Sequence, residues 1–209
     1  MNFRTLPNIK LLHIMILLIH LKIEDFMDFR KISVLCVIAA SFTLGACSSK
    51  YRTDNHQLVQ AVASDSSFYI MQPKDGIFGD INYAGSGQML LLEVHKQLVP
   101  YSSLVVDATE IKTRDEAFEE ALSQNIDYLI DLQILHWEDR ATEWSGRPDR
   151  ITIHYQAFNV NTKTMLASST LSASSKWASF GSDHPVDLLP VPTTQFVSAL
   201  LGKSLDVEK

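Results

Sequence analysis

A mixed α/β domain built on one small sheet is the fold class this sequence predicts, in the order β-α-β-α-β-β-β-α with helices covering at least one face. Two observations predict it, and a third bounds what holds it together. The first two strand-like segments are each followed by a stretch of helical spacing, which joins strands by crossovers. The last three strand-like segments alternate apolar and polar residues, and the final pair is separated only by a hairpin turn. Both cysteines, Cys36 and Cys47, lie in or just after an N-terminal apolar run, so the body behind them must stand on packing without a disulfide.

Taken in order, Ser48–Asp65 is polar with scattered apolar residues, and its Tyr51–Gln57 stretch reads as tether. Ser67–Gln72 is rich in strand formers and is stopped by Pro73. Four glycines and a proline in Pro73–Gly87 predict an irregular loop. From Gln88 the apolar residues Leu90, Leu91, Val94 and Leu98 recur at helical spacing, with Ser86 placed as cap and Pro100 as stop. Leu104–Val106 reads as a short strand buried in the middle of the sheet.

Thr113-Arg114-Asp115-Glu116 is a capping box, introducing a helix with Ala117, Phe118, Ala121 and Leu122 inward and Asn125 as its left-handed end. Asp127–Glu138, Arg150–Asn159 and Met165–Ser175 are strands with one core face and one partly wet face. Val160–Thr164 is the hairpin turn between the last two. A closing helix is predicted over about Thr193–Leu201, stopped by Gly202.

The N-terminus predicts an address. Ile32–Ala40 is an apolar core of signal-peptide length behind the basic pair Arg30–Lys31, too short to span a bilayer comfortably. Leu44-Gly45-Ala46-Cys47 has the form of a bacterial lipobox, which makes Cys47 the lipidated first residue of the mature chain. Resemblance to bacterial lipoproteins implies three acyl chains there, and each buried methylene contributes about 0.8 kcal/mol of anchoring. By the same resemblance, Ser48 in place of an aspartate implies export to the periplasmic face of the outer membrane. The expected organisation is 1–26 as an upstream extension, with translation starting at Met27, and 27–46 as signal peptide. A lipidated tether over 47–66, a single periplasmic domain over 67–202 and a tail over 203–209 complete it.

Charge excludes one class of partner. With the leader go five basic and three acidic residues, which leaves thirteen cations against twenty-one carboxylates, a net of −8 with no basic run. Nucleic-acid binding needs a positive footprint, and the sequence shows none.

Asp75-Gly76, Gly79, the stretch Tyr83-Ala84-Gly85-Ser86-Gly87 and the Asn161-Thr162-Lys163-Thr164 turn, together with the lipobox, resemble a proteobacterial lipoprotein family known as domain of unknown function 4823. The resemblance covers nearly all of Ser67–Leu201 and implies no activity. More distantly, Asn125-Ile126-Asp127-Tyr128 and the later turn are similar in layout to periplasmic lipoproteins of the curli-secretion and penicillin-binding-protein-activator type. Asn161 and Thr164 depart from the Asp and Gly usual in that turn.

Two places are candidate contact sites. The loop carrying Asp75, Gly76, Gly79, Asp80, Tyr83, Gly85, Ser86 and Gly87 follows a strand and opens a helix, where ligands often bind, although its spacing matches no P-loop or dinucleotide fingerprint. Turn geometry and capping are the competing explanation. The second is the polar loop Asp139–Asp149, where Trp144 lies among Arg140, Arg147 and Arg150, residue types enriched at interface hot spots. Packing of Trp144 over an arginine within the loop competes with that.

No metal or cofactor is expected. Alternation puts His136 and His154 on opposite faces of the sheet, and His56, His95 and His184 have no metal spacing. Ser168–Ser175 lacks a nucleophile elbow, so a wet sheet face accounts for its serines. The sequence therefore predicts a non-catalytic, lipid-anchored periplasmic protein that binds another envelope component. An accessory subunit of an envelope export or cell-wall machine, and a small-ligand binder or enzyme using Asp75–Gly87, are the alternatives.

Overall fold

Residues 49–140, 147–176 and 184–203 are described by this computed structural model, so Cys47, Trp144 and Trp177 lie outside the described residues. In chain order the elements are β1 (Lys50–Leu58), β2 (Ser66–Ile70), β3 (Gly76–Phe78), β4 (Ile81–Tyr83), α1 (Ser86–Leu98), β5 (Ser102–Asp107), α2 (Arg114–Ser123), β6 (Tyr128–Glu138), β7 (Arg150–Asn159), β8 (Met165–Ser174) and α3 (Pro190–Leu200). Six strands make the main sheet in the order β1-β8-β7-β6-β2-β5, and β3 and β4 form a separate hairpin. β6, β7 and β8 are the antiparallel meander that the alternation predicted, whereas β5, β2 and β6 run parallel, joined through α1 and α2.

Two cores lie on opposite faces. On the first face, Leu90, Leu91, Val94 and Leu98 of α1 and Phe196, Val197 and Leu200 of α3 pack on Phe68, Ile70, Ile130, Leu132, Ile153 and Tyr155. Tyr155 and Phe196 stack at 4.9 Å, and the buried Tyr155 hydroxyl lies 3.2 Å from Thr193 Oγ1. The second core is smaller: Ala117, Phe118 and Ala121 of α2 cover Tyr69, Leu129 and Phe158. The parallel half of the sheet is thus covered on both sides. Beyond α2, the second face of β1, β8, β7 and β6 carries polar and charged residues, and no helix among the described residues covers it.

The structure corrects the sequence reading in several places. Tyr51–Gln57 is not a spacer: the whole of Lys50–Leu58 pairs antiparallel with β8 and closes the sheet edge. Its residues are all exposed, and an edge strand open to water on both faces carries no apolar alternation to reveal it. The chain then returns to the body, where Val62 is buried and donates its N–H to the Leu200 carbonyl. β5 is at the opposite edge rather than in the middle, with Leu104 49% exposed. The crossover from β5 to β6 passes over β2, so β2, between them, is the strand covered on both faces, the place that the apolar run in β5 suggested for itself. α3 starts at Pro190, because proline in a first turn lacks only an N–H that would be unpaired anyway.

A bulge overturns the histidine geometry. The β6–β7 register shifts between Ile134 and His136, so Leu135 is the extra residue and alternation inverts after it. Trp137 consequently points into the first core, and His136, opposite Thr152, lies on the same face as His154. From Ser48 onward the chain forms one compact unit holding both cores and the eight strands found among the described residues.

Candidate functional site

The glycine-rich loop is an ordered hairpin rather than an irregular connection. Its base is closed by two side chains acting on backbone: Ser86 Oγ accepts from Gly76 N at 2.8 Å and Asp75 Oδ1 from Gly87 N at 2.8 Å. Ser86 therefore does not cap α1; the cap position is Gly85, at φ 89. The tip is the two-residue turn Gly79-Asp80, whose first position needs positive φ, met by Gly79 at 59°. Asp80 is exposed at that tip.

What the hairpin presents is apolar. Ile77 is 65% exposed, Ile81 56% and Phe78 39%, and Leu135 of the β6 bulge is also exposed. Behind them the hairpin is braced against β6. Gly76 sits so close that a Cβ there would lie 2.4 Å from Trp137 Cβ, and the Phe78 ring meets His136 edge-on at 5.0 Å. Tyr83 Oη donates to the Asp139 carbonyl at 3.5 Å.

That contact brings the two predicted sites together at their bases. Arg140 follows Asp139 and is engaged: its guanidinium pairs with the buried Glu138 and its N–H donates to Asp149 Oδ1 at 2.6 Å. Asp149 N in turn donates to Ser175 Oγ, and Ser175 N to the Asp149 carbonyl, so the neck of the loop is pinned to the end of β8. Arg147 is exposed. Trp144, between them, lies outside the described residues.

The sequence reading missed a crevice of about 450 Å³ beyond the carboxyl ends of β2 and β5, lined by Met71, Lys74, Ile111, Arg114, Asp131 and Gln133 among others. The outer ends of parallel strands are where ligands settle in α/β sheets. Arg114 is committed to Asp131, donating from Nε at 3.0 Å and from Nη2 at 2.7 Å, and to Gln156. Lys112 Nζ is held 2.5 Å from Glu120 Oε2. That hydrogen bond raises the Lys112 pKa and lowers that of Glu120, which the Tyr69 hydroxyl lowers further. Burial and the same Glu120 push Tyr69 well above the ordinary phenol range. Among the described residues no three of His, Cys, Asp and Glu gather as a metal site, and no helix is long and apolar enough to cross a membrane.

Fold and site together define a mixed α/β domain that displays a braced, apolar hairpin beside one end of its sheet. The chain belongs to the family described as Domain of unknown function (DUF4823), whose model matches residues 60–200. No curated protein matches it. Among solved structures it is similar to the PelC dodecamer from Paraburkholderia phytofirmans, at 14% identity and a TM-score of 0.49 over 75% of this chain and 99% of that one. It is also similar to lipoprotein GNA1162 from Neisseria meningitidis, at 10% identity and a TM-score of 0.45 over 66% of this chain and 99% of that one. The LpoB C-terminal domain from Salmonella enterica aligns at 12% identity and a TM-score of 0.37, over 52% and 82% of the two chains.

Proposed function

We propose that the protein is a lipoprotein of the cell envelope, anchored through Cys47 to the periplasmic face of the outer membrane, and that it acts by binding another envelope protein through the β3–β4 hairpin. The observation that carries the reading is the exposure of Ile77, Phe78 and Ile81 on a hairpin fixed at its base and braced from behind. A rigid apolar projection loses little conformational entropy on docking, and three clustered apolar side chains exceed the scattered exposure of an ordinary surface. The lipobox at Leu44–Cys47 supplies the anchor.

Asp75 and Ser86 belong to this reading as the groups that hold the hairpin shut. A photo-crosslinker at Ile81 in intact cells is expected to give one dominant protein adduct, and Ile77→Ser with Phe78→Ser is expected to abolish it while leaving the melting temperature unchanged. A scatter of weak adducts that the variant does not alter would refute the hairpin as the contact. Small-ligand binding draws its support from the crevice beside Arg114. A thermal shift with an envelope metabolite, lost in Lys74→Ala, would favour it instead.

A further inference from the structure

The sheet assembles a basic groove that no stretch of the sequence contains. In register, Lys50, Ser174, Arg150 and Glu138 form one row across β1, β8, β7 and β6, and Arg52, Ser172, Thr152 and His136 form the next. Directly paired residues share a face, so all eight point to the side of the sheet that, beyond α2, no helix among the described residues covers. A groove of about 380 Å³ runs between them, lined by Lys50, Arg52, His136, Arg150, Thr152 and Ser172 among others. Two carboxylates face it. Glu138 is buried against Arg140, and Asp54 is 2.5 Å from Arg52 and accepts from Ser172 Oγ. Lys50 and Arg150 have no ion-pair partner among the described residues, and Thr152 and Ser172 hold their hydroxyls 3.0 Å apart between them. In a body with a net charge of −8, thirteen cations against twenty-one carboxylates, uncompensated positive charge is thus gathered at one end of one face.

That end is also where the chain leaves its anchor. Only two residues separate Cys47 from Lys50, the first residue of β1. An extended chain covers at most about 3.6 Å per residue, so Lys50 lies within about 11 Å of the anchored residue. A bilayer's headgroup region adds about 5–7 Å on each side of its hydrocarbon core. We infer that this groove is a docking face for the phosphates of anionic phospholipids in the membrane that holds the lipid, so that the body lies against the bilayer in one orientation. Lys50 and Arg150 supply long-range attraction and donate hydrogen bonds to phosphate oxygens, while the Thr152 and Ser172 hydroxyls, engaged with each other and with Asp54, lie between them. The inference deepens the proposed anchoring. Phe78, against His136, places the hairpin at the rim of the groove.

The body from Ser48 carries both cores and the complete sheet, so it folds without the leader and tests the face apart from the lipid. It is expected to co-float with vesicles of phosphatidylethanolamine and phosphatidylglycerol, not with phosphatidylethanolamine alone, and to be released by salt. Lys50→Glu with Arg150→Glu is expected to weaken binding about ten-fold or more at an unchanged melting temperature, whereas Lys163→Glu, at the other end of the sheet, leaves it intact. No flotation of the wild-type body, or equal flotation of the double variant, overturns the inference. Mass spectrometry of Cys47 reports on the anchor independently of either result. Should Ile77→Ser with Phe78→Ser abolish flotation while Lys50 and Arg150 also prove necessary, the groove stands and the hairpin becomes a membrane element rather than a partner site.

Discussion

Asp127, which the sequence shows only as part of a strand entry, is a structural clamp at the scale of one residue. Its Oδ2 accepts from both the N–H and the hydroxyl of Ser67, at 2.9 and 2.7 Å, and its own N–H donates back to Ser67 Oγ at 2.9 Å. The starts of two neighbouring parallel strands are thereby clamped, with Asn125 at φ 55 turning the chain into place. Asp127→Ala leaves two partly buried donors without acceptors and is expected to cost about 1–3 kcal/mol in chemical denaturation, with Asp127→Asn recovering part of it. Gly76→Ala is expected to lower stability by about 1–3 kcal/mol, since its methyl group cannot share space with Trp137 Cβ. Glu120 links protonation to folding. Lys112 and Tyr69 hold its carboxyl below the ordinary value, so its stabilisation is complete above the unfolded pKa, about 4.3, and is lost as pH falls through the lower folded one. Lys112 has the opposite sign: its contribution is complete below the unfolded value, about 10.4, and disappears only as pH rises through the raised folded one. Glu120→Gln is therefore expected to flatten the acid limb of a melting-temperature profile, an outcome read by calorimetry between about pH 3 and pH 6.

At the scale of elements, helix ends were legible wherever the signal was local. Thr113 and Glu116 form the predicted capping box, each side chain bonded to the other's backbone N–H, and Thr113→Ala is expected to lower stability by about 1 kcal/mol. α3 depends on burial instead. Phe196 stacks on Tyr155 between the helix and the sheet, so Phe196→Ala is expected to cost about 3–5 kcal/mol in denaturant midpoint experiments and to loosen the whole first face. The β3–β4 hairpin was missed because its residues alternate over only three positions on each arm. Glycine density marked the bend, but only the proximity of Trp137 shows that the bend is braced.

Considered as a whole molecule, the sheet has two edges with different treatments. β5 ends it as a short six-residue strand, and β1 ends it with charged residues and a register shift between Thr53 and Asn55. Charges and bulges on an edge discourage further pairing. If Lys50–Leu58 were a tether, shortening it would be harmless. As a strand, its deletion bares the backbone edge of β8, and a body starting at Gln60 is expected to self-associate in sedimentation while the body from Ser48 does not. The same strand carries Lys50 and Arg52 to the face where β7 brings Arg150.

By itself the sequence determined the order of crossovers and meander, the capping box at Thr113 and the family, because each is written in neighbouring residues: period, capping box, turn. Only the tertiary structure decided which of the three parallel strands lies between the other two, which face His136 takes after the Leu135 bulge, and that Lys50, Arg52 and Arg150 meet. The physical reason is that register couples residues about a hundred positions apart through backbone hydrogen bonds that any residue but proline forms, so composition and periodicity carry no record of the pairing.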